Sequence, residues 1–161
     1  MRTLHGVGNV TENTTLTNAA QAYADTLCST DVFQHSPGAL SGLYGENLYY
    51  TAAYPYIQYS YGAATNSWYS EISDYNFTTQ AAVSSNKVVG HFTAEIWKSV
   101  TTVGFGYCKT SFVFPGLPLP AVKLYVVGNY YPVPNFYIQG LDKSIDYRYR
   151  AYKENVLPPS S

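Results

Sequence analysis

The sequence predicts an α+β fold in which helices cover an antiparallel sheet. One apolar helix face recurs every three or four residues, at Leu16, Ala20, Tyr23 and Leu27. Shorter helical patterns follow over residues 65–75 and 86–98. Two segments rich in β-branched and aromatic residues, 100–110 and 122–130, flank a Pro/Gly-rich stretch that predicts a β-hairpin connection. Helices followed by strands favour a helix-covered antiparallel sheet.

Length and composition restrict the class of protein. A chain of 161 residues with 46% hydrophobic residues is sufficient for one domain with one core. Charged residues make up only 12% and the formal net charge is -1, so no basic surface is available to hold a phosphate backbone. No apolar run approaches the roughly 18 residues that a membrane span requires. We therefore expect neither a nucleic-acid partner nor a transmembrane segment.

The chain divides into three predicted parts. Residues 1–15 are polar and predict a loose N-terminal arm, residues 16–135 form the domain, and residues 136–161 predict a C-terminal extension that wraps around it. The first residues lack the apolar region of a signal peptide. The sequence is therefore either cytosolic or a mature or incomplete form of a secreted protein, and we favour the second interpretation.

Three N-glycosylation sequons and two cysteines bear on the compartment. The sequons begin at Asn9, Asn13 and Asn76, each with a threonine two positions later, and they predict a secreted glycoprotein. Cys28 and Cys108 form either a disulfide or two buried free thiols. A disulfide would close a loop of about 80 residues and stabilise the fold by roughly 4.5 kcal/mol. The spacing alone leaves both alternatives open.

Two histidines and two glutamates are the candidate functional residues: His35, Glu46, Glu71 and His91. None of them belongs to a local metal motif, because the sequence contains no HExxH and no CxxC pair. Taken singly, each histidine is a hydrogen-bonded structural residue more often than a metal ligand. Glu71 taken alone is a solvated helix carboxylate. The sequence also lacks the GxSxG motif of a serine nucleophile.

Five ordered motifs resemble those of the CAP superfamily, which includes cysteine-rich secretory proteins, antigen 5 and plant pathogenesis-related class 1 proteins. They are His35-Ser36, Gly45-Glu46-Asn47-Leu48, Trp68-x-x-Glu71, Gly90-His91-Phe92-Thr93 and Val126-Val127-Gly128-Asn129-Tyr130. The resemblance implies an α-β-α sandwich with a central antiparallel sheet. It also implies that His35, Glu46, Glu71 and His91 lie together in one cleft.

Such a cleft suits a divalent metal, and the resemblance implies zinc as its cofactor. Neutral imidazoles from His35 and His91 are suitable zinc ligands, and the carboxylates would hold the rings through their second nitrogens. Without metal, each glutamate would favour the charged form of its histidine. Three positions depart from the family pattern: Gly128 replaces a cysteine, Pro134 replaces a glycine, and Glu95 stands where an apolar residue is usual. Glu95 either faces solvent or adds a carboxylate near the cleft.

The sequence predicts a secreted, non-catalytic binding module, with either a small apolar ligand or a protein as its partner. The resemblance implies lipid or sterol capture, and the tyrosine-rich stretch Tyr49–Tyr61 would form a groove rim or pack onto the sheet. One alternative is a structural subunit or homo-oligomer of an extracellular assembly, with the tail Tyr147–Tyr152 adding as an edge strand. A second alternative is a metal-assisted hydrolase with Glu46 or Glu71 as general base.

Overall fold

The computed structural model describes residues 1–56, 60, 62–136 and 149–160. A short 3-10 helix (Arg2–His5) opens the chain, and another (Glu71–Asp74) follows α3. The remaining elements in chain order are β1 (Thr11–Glu12), α1 (Thr14–Thr30), α2 (Pro37–Leu40), β2 (Gly45–Ala53), α3 (Ala63–Ser70), β3 (Tyr75–Asn76), β4 (Ala81–Ala82), α4 (Gly90–Ile96), β5 (Thr102–Phe112), β6 (Ala121–Tyr131) and α5 (Arg150–Asn155).

The central sheet has four strands in the order β1-β5-β6-β2. β5 and β6 form the predicted hairpin, with pairs running from Thr102 opposite Tyr131 to Phe112 opposite Ala121. β2 lies antiparallel on the other side of β6, and the short β1 pairs in parallel with the start of β5. The hairpin contributes most of the sheet, because its two strands are eleven residues long each.

Helices cover both faces of the sheet, which confirms the predicted α-β-α sandwich. α1 packs on one face through Ala20, Ala24 and Leu27, which join a buried cluster with Leu48, Tyr125 and Val127. The approach is close, because a Cβ at Gly104 or Gly106 would collide with the backbone of α1. On the opposite face, α3 and α4 bury Trp68, Phe92 and Ile96 against the sheet.

A disulfide ties α1 to the hairpin. Of the two alternatives that the sequence left open, the structure has the bond between Cys28 and Cys108, whose Cα atoms are 6.1 Å apart. Gly128, the position where the family usually has a cysteine, lies under the Phe105 ring. A Cβ there would approach that ring to 2.8 Å, so a larger residue would require Phe105 to move.

The expectation of a loose arm over residues 1–15 is wrong for the part that precedes α1. His5 is only 1% exposed, and Val7 is also buried. The His5 ring donates to the carbonyl of Leu157 and accepts from the Tyr69 hydroxyl, while burial lowers the pKa of this histidine. This segment is held in place because its apolar side chains are buried and because β1 pairs with β5.

Two helices are shorter than their sequence patterns, and part of the C-terminal prediction is outside the structure. The pattern over 65–75 becomes α3 plus a 3-10 turn, and the pattern over 86–98 contains only α4. α4 stops before Trp97, and the N–H of Lys98 donates to the carbonyl of Asn155 instead. Residues 137–148, including Tyr147 and Arg148 of the predicted edge-strand tail, lie outside the described residues.

Candidate functional site

The first candidate pair joins His35 to Glu46. His35 lies between α1 and α2, and its Nδ1 donates to Glu46 Oε1 over 2.9 Å. The backbone N–H of Ser36 donates to the same carboxylate oxygen, also over 2.9 Å. Ser36 in turn caps α2, because its Oγ accepts from the N–H of Ala39. The start of α2 therefore fixes the ring of His35 against β2.

The second pair joins His91 to Glu71. The Nδ1 of His91 donates to Glu71 Oε1 over 2.6 Å. The other oxygen of this carboxylate accepts from the backbone N–H groups of His91 and Phe92, each over 3.1 Å. These N–H groups open α4, whose N-cap residue, Val89, provides no side-chain acceptor. Glu71 therefore caps the helix and orients its histidine at the same time.

Further contacts hold His91 and connect the two pairs. The Trp68 ring stacks on the His91 ring with 6.2 Å between centroids and 16° between planes. The Nδ2 of Asn47 donates to the carbonyl of His91 over 3.0 Å. Asn47 directly follows Glu46 on β2, so one strand segment contacts both histidine–glutamate pairs. Trp68 and Asn47 both belong to the motifs that resemble the family, but no role at the site was predicted for either residue.

A cavity of about 220 Å³ lies beside the first pair. Its walls include His35, Tyr44, Glu46, Ala94, Pro134 and Asn135. Asn135 has a positive φ of 58° and bridges to α4, donating to the carbonyl of Gly90 and accepting from the Thr93 hydroxyl, both over 2.8 Å. The helix that carries His91 therefore borders the cavity that contains His35. Pro134 packs against Gly45 at a point where a Cβ would collide with its ring.

The donor set is compatible with a metal that takes two imidazoles from the protein. Each Nδ1 is engaged by a carboxylate, so Nε2 is the nitrogen that each ring can offer to a metal. Within the described ranges, no group of three or more His, Cys, Asp or Glu side chains is arranged to hold a metal ion. The structure thus pairs the four candidate residues two by two, and a zinc ion here would need solvent for its remaining ligands.

Glu46 should control the titration of His35. The hydrogen bond and the charge of Glu46 raise the pKa of His35 above its usual value, against the smaller opposing effect of burial. We expect Glu46→Gln to lower the His35 pKa, as followed by the ring proton shifts in an NMR titration. Glu71→Gln is the matched control, since it alters the other pair. Equal His35 pKa values in the wild type and the Glu46→Gln variant would contradict this assignment.

A second candidate site is an apolar groove along β5, between α3 and the N-terminal segment, which we call the ligand groove. One part, of about 600 Å³, is lined by residues including Arg2, Val10, Thr65, Glu95, Phe105 and Tyr130. An adjoining part of about 250 Å³ is lined by residues including Gln21, Ala64, Thr65, Phe105, Tyr107 and Val126. Both parts share Thr65 and Phe105, so they are two sections of the same groove.

The described residues that line the groove do not belong to the predicted rim. The predicted rim was Tyr49–Tyr61, of which residues 57–59 and 61 lie outside the described residues. Tyr49 packs beside the buried cluster of Trp68, Leu124 and Val126. The groove instead combines the N-terminal segment with α3 and β5. No local pattern could reveal it, because these segments are distant in sequence.

Glu95 closes one end of the ligand groove. Glu95 is only 8% exposed, and its Oε2 atom has no hydrogen-bond partner among the described residues. Burial, together with repulsion from Glu71, raises the pKa of Glu95 to about 9, so this side chain is a neutral acid at pH 7. Of the two sequence-based alternatives for Glu95, solvent exposure is wrong. The signal was the position of Glu95, since an apolar residue is usual there in the family-like motif.

Two further hydrogen-bond donors accompany Glu95. Arg2 lines the same part of the groove and donates to the backbone carbonyls of Glu95, Trp97 and Val100. Tyr130 is buried, and its hydroxyl accepts from the Nδ2 of Asn47 over 3.2 Å. Burial and the proximity of Glu95 raise the pKa of Tyr130, so its hydroxyl keeps its proton. This end of the groove therefore carries donors and the positive charge of Arg2.

The three sequon asparagines have different surroundings. Asn9 is exposed and borders the ligand groove. Asn13 is the N-cap of α1, where its Oδ1 accepts from the N–H groups of Thr15 and Leu16. Asn76 accepts in the same way from Thr78 and Thr79. At Asn13 and Asn76 the bonded atom is Oδ1, whereas an N-linked glycan is carried by Nδ2.

A helix–sheet–helix sandwich with two histidine–glutamate pairs beside β2 defines the class of protein. The family model described as CAP, the cysteine-rich secretory protein family, matches residues 1–130. The chain belongs to this family. The matched range includes the N-terminal segment that the sequence analysis placed outside the domain, which agrees with its packing against the sheet.

Relatives with curated descriptions support the same assignment. The chain is 34% identical over 158 residues to the Golgi-associated plant pathogenesis-related protein 1 of Homo sapiens, covering 98% of this chain and 86% of that protein. It is 34% identical over 161 residues to the Secreted protein RBT4 of Candida albicans, covering 98% of this chain but only 38% of that protein. Secreted relatives of this kind agree with the extracellular location predicted from the sequence.

Solved structures show the same fold. The structure of NaASP2 with Zn2+ superposes with a TM-score of 0.54 at 19% identity, covering 81% of this chain and 63% of that one. MpPR-1i superposes with a TM-score of 0.53 at 16% identity, covering 87% of this chain and 82% of that one. Across the described ranges, no helix combines the length and apolar character that crossing a bilayer would require.

Proposed function

We propose that this chain is a secreted, N-glycosylated and non-catalytic CAP module that binds a small amphipathic lipid or sterol in the ligand groove. The observation that carries the proposal is the buried Oε2 atom of Glu95, which lines the groove and has no hydrogen-bond partner among the described residues. A buried polar group without a partner is unfavourable unless something satisfies it. A bound ligand with a polar head would do so.

The groove walls indicate the chemistry of the ligand. Phe105 and Tyr107 are 41% and 39% exposed on β5, and they offer aromatic surface to an acyl chain or ring system. The polar end presents the neutral acid of Glu95, the Tyr130 hydroxyl and the charge of Arg2. These donors select a head group that accepts hydrogen bonds, such as a carboxylate, carbonyl or hydroxyl. A volume of about 600 Å³ is also in the usual range for ligand cavities.

Filling the groove should abolish ligand binding. Thr65→Trp inserts a large side chain at the junction of both parts, and we expect it to weaken binding of a fluorescent fatty acid or fluorescent sterol by at least about tenfold. Ser67→Trp is the matched control, because Ser67 is exposed on the same helix. Absence of saturable binding in the wild type would contradict the proposal. Equal binding by Thr65→Trp would place the ligand elsewhere.

The histidine–glutamate pairs support a zinc site as a second part of this function. His35 and His91 would hold the ion through Nε2, and the ion would supply a link between the segment before α2 and the start of α4. Glu46 and Glu71 keep both rings in the required tautomer. Both oxygens of Glu71 already accept hydrogen bonds, which favours a positioning role over that of a general base.

Calorimetric titration with Zn²⁺ alone tests this site. We expect one equivalent to bind the wild type, and His35→Ala and His91→Ala each to remove most of that binding. His5→Gln is the control, since His5 is buried and bonded to Leu157 and Tyr69 and belongs to neither pair. Unchanged binding in both alanine variants would exclude His35 and His91 as ligands.

A further inference from the structure

The connection between β5 and β6 exposes a concentration of apolar side chains. Its eight residues, 113–120, have the sequence Val-Phe-Pro-Gly-Leu-Pro-Leu-Pro. Val113 is 81% exposed, and Phe114 and Leu119 are each 55% exposed. No charged residue occurs between Lys109 and Lys123. Large apolar side chains that remain this exposed mark a surface that contacts something else. We call residues 112–121 the hairpin tip.

The exposed surface extends from the hairpin tip to the end of β2. A shallow apolar depression of about 220 Å³ is lined by Ala52, Ala53, Tyr54, Phe112, Phe114, Leu117 and Ala121. Tyr56, which follows β2, is 73% exposed. Tyrosine combines an apolar ring with a polar hydroxyl, so its preferred place is the boundary between lipid and water.

Positive charge lies behind the tip. Lys109 is opposite Leu124 and Lys123 is opposite Thr110, so the two lysines lie within three residue pairs of Phe112, the last residue of β5. The hairpin over residues 102–131 contains no aspartate or glutamate. Asp31 reaches Lys123 from the end of α1, with 2.6 Å between Nζ and the carboxylate.

The backbone of the tip is suited to a medium without water. An unpaired N–H group in hydrocarbon is costly, and three of the eight residues are prolines, which have none. The N–H of Leu117 is already bonded to the carbonyl of Phe114. Gly116 adopts the positive φ of 87° that the turn requires. The prolines also limit the conformational entropy that the loop can lose on binding.

We propose that the hairpin tip inserts into the surface of a lipid bilayer and docks the protein on it. From the tip inward, the order of groups is the apolar side chains of the loop, Tyr54 just after β2, and then Lys123 and Lys109. This matches the order of acyl chains, interface and head groups in one leaflet. The tip is an extension at the end of two strands, and a bilayer accepts such an extension without a preformed pocket. This surface is distinct from the ligand groove, whose β5 residues are Val103, Phe105, Gly106 and Tyr107.

Co-sedimentation with vesicles of phosphatidylcholine and phosphatidylserine tests the proposal. We expect the wild type to bind, and the double variant Val113→Asp/Leu119→Asp to partition at least about tenfold less. Val83→Asp/Val88→Asp is the matched control, since these valines are also more than half exposed but lie outside the hairpin. Circular dichroism and thermal melting establish that each variant is folded. Binding that persists in high salt supports apolar insertion over attraction of the lysines alone.

Three results would overturn the proposal. The first is a wild type that does not sediment with these vesicles, and the second is equal sedimentation of the wild type and the tip variant. The third is self-association without vesicles that disappears in the tip variant, which would assign the tip to a second copy of the chain. Thr65→Trp separates this surface from the ligand groove, because it should lose the fluorescent ligand but still bind vesicles.

Discussion

The wild type should become less stable as pH rises, and the Glu95→Gln variant should lose much less stability over the same range. In the folded state, burial raises the pKa of Glu95 to about 9. In the unfolded chain this carboxyl group ionises near its ordinary value of about 4.5. Between these two values the folded state binds more protons than the unfolded state. The contribution of Glu95 is therefore complete below about pH 4.5 and is lost as pH rises towards 9.

Glutamine imitates the protonated acid but cannot ionise. We expect the free energy of unfolding of Glu95→Gln, relative to wild type, to rise by about 1.4 kcal/mol per pH unit across this window. At pH 8 the accumulated difference would be on the order of 3–5 kcal/mol relative to its value at pH 4.5. The slope is the diagnostic quantity, because the amide also leaves a buried donor that lowers stability at every pH.

Urea unfolding at a series of pH values measures this slope. Glu154→Gln is the control, since Glu154 is exposed on α5 and pairs with Arg150. Its difference from wild type should vary little with pH. If Glu95→Gln follows the wild type in parallel from pH 5 to pH 9, then Glu95 is ionised in the folded protein and the proposed donor role in the ligand groove fails with it.

Removing the disulfide should have a comparable effect on stability. Cys28 and Cys108 are 80 residues apart in sequence, so their bond restricts a long loop of the unfolded chain. We expect Cys28→Ala/Cys108→Ala to lower the free energy of unfolding by about 4 kcal/mol in the chain-entropy description. Guanidinium unfolding of the oxidised wild type and the double variant provides the comparison.

Reduced wild type is the internal reference for this experiment. It should unfold at nearly the same guanidinium concentration as the double alanine variant, because both lack the same constraint. A loss below about 1 kcal/mol would show that the reduced chain retains α1 against the hairpin without the bond. The cysteines would then contribute mainly as packed side chains.

The elements that the sequence predicts well are those with local periodicity. The stripe from Leu16 to Leu27 appears as the buried face of α1, and the Pro/Gly-rich stretch connects β5 to β6. The disulfide could not be decided from the same reasoning, since its two cysteines are brought together only by packing of α1 on β5. Local patterns report local structure, whereas this distance depends on the complete fold.

The site was only partly accessible to sequence reasoning. Pairing of His35 with Glu46 and of His91 with Glu71 joins residues 11 and 20 positions apart, and spacing alone provides no reason for either pair. The resemblance to a family indicated the four residues. It did not indicate Arg2 or the ligand groove, because the first residues are polar in composition and their burial depends on contacts with residues 95–100.

The two ends of the chain meet. The N–H of Ser160 donates to the carbonyl of Leu4 over 2.6 Å, and Leu157 contacts the ring of His5. Closing the chain into a ring would therefore require a very short linker, and new termini can be opened in a surface loop. Circular permutation is thus a practical route for attaching reporters to this domain at positions away from Leu4 and Ser160.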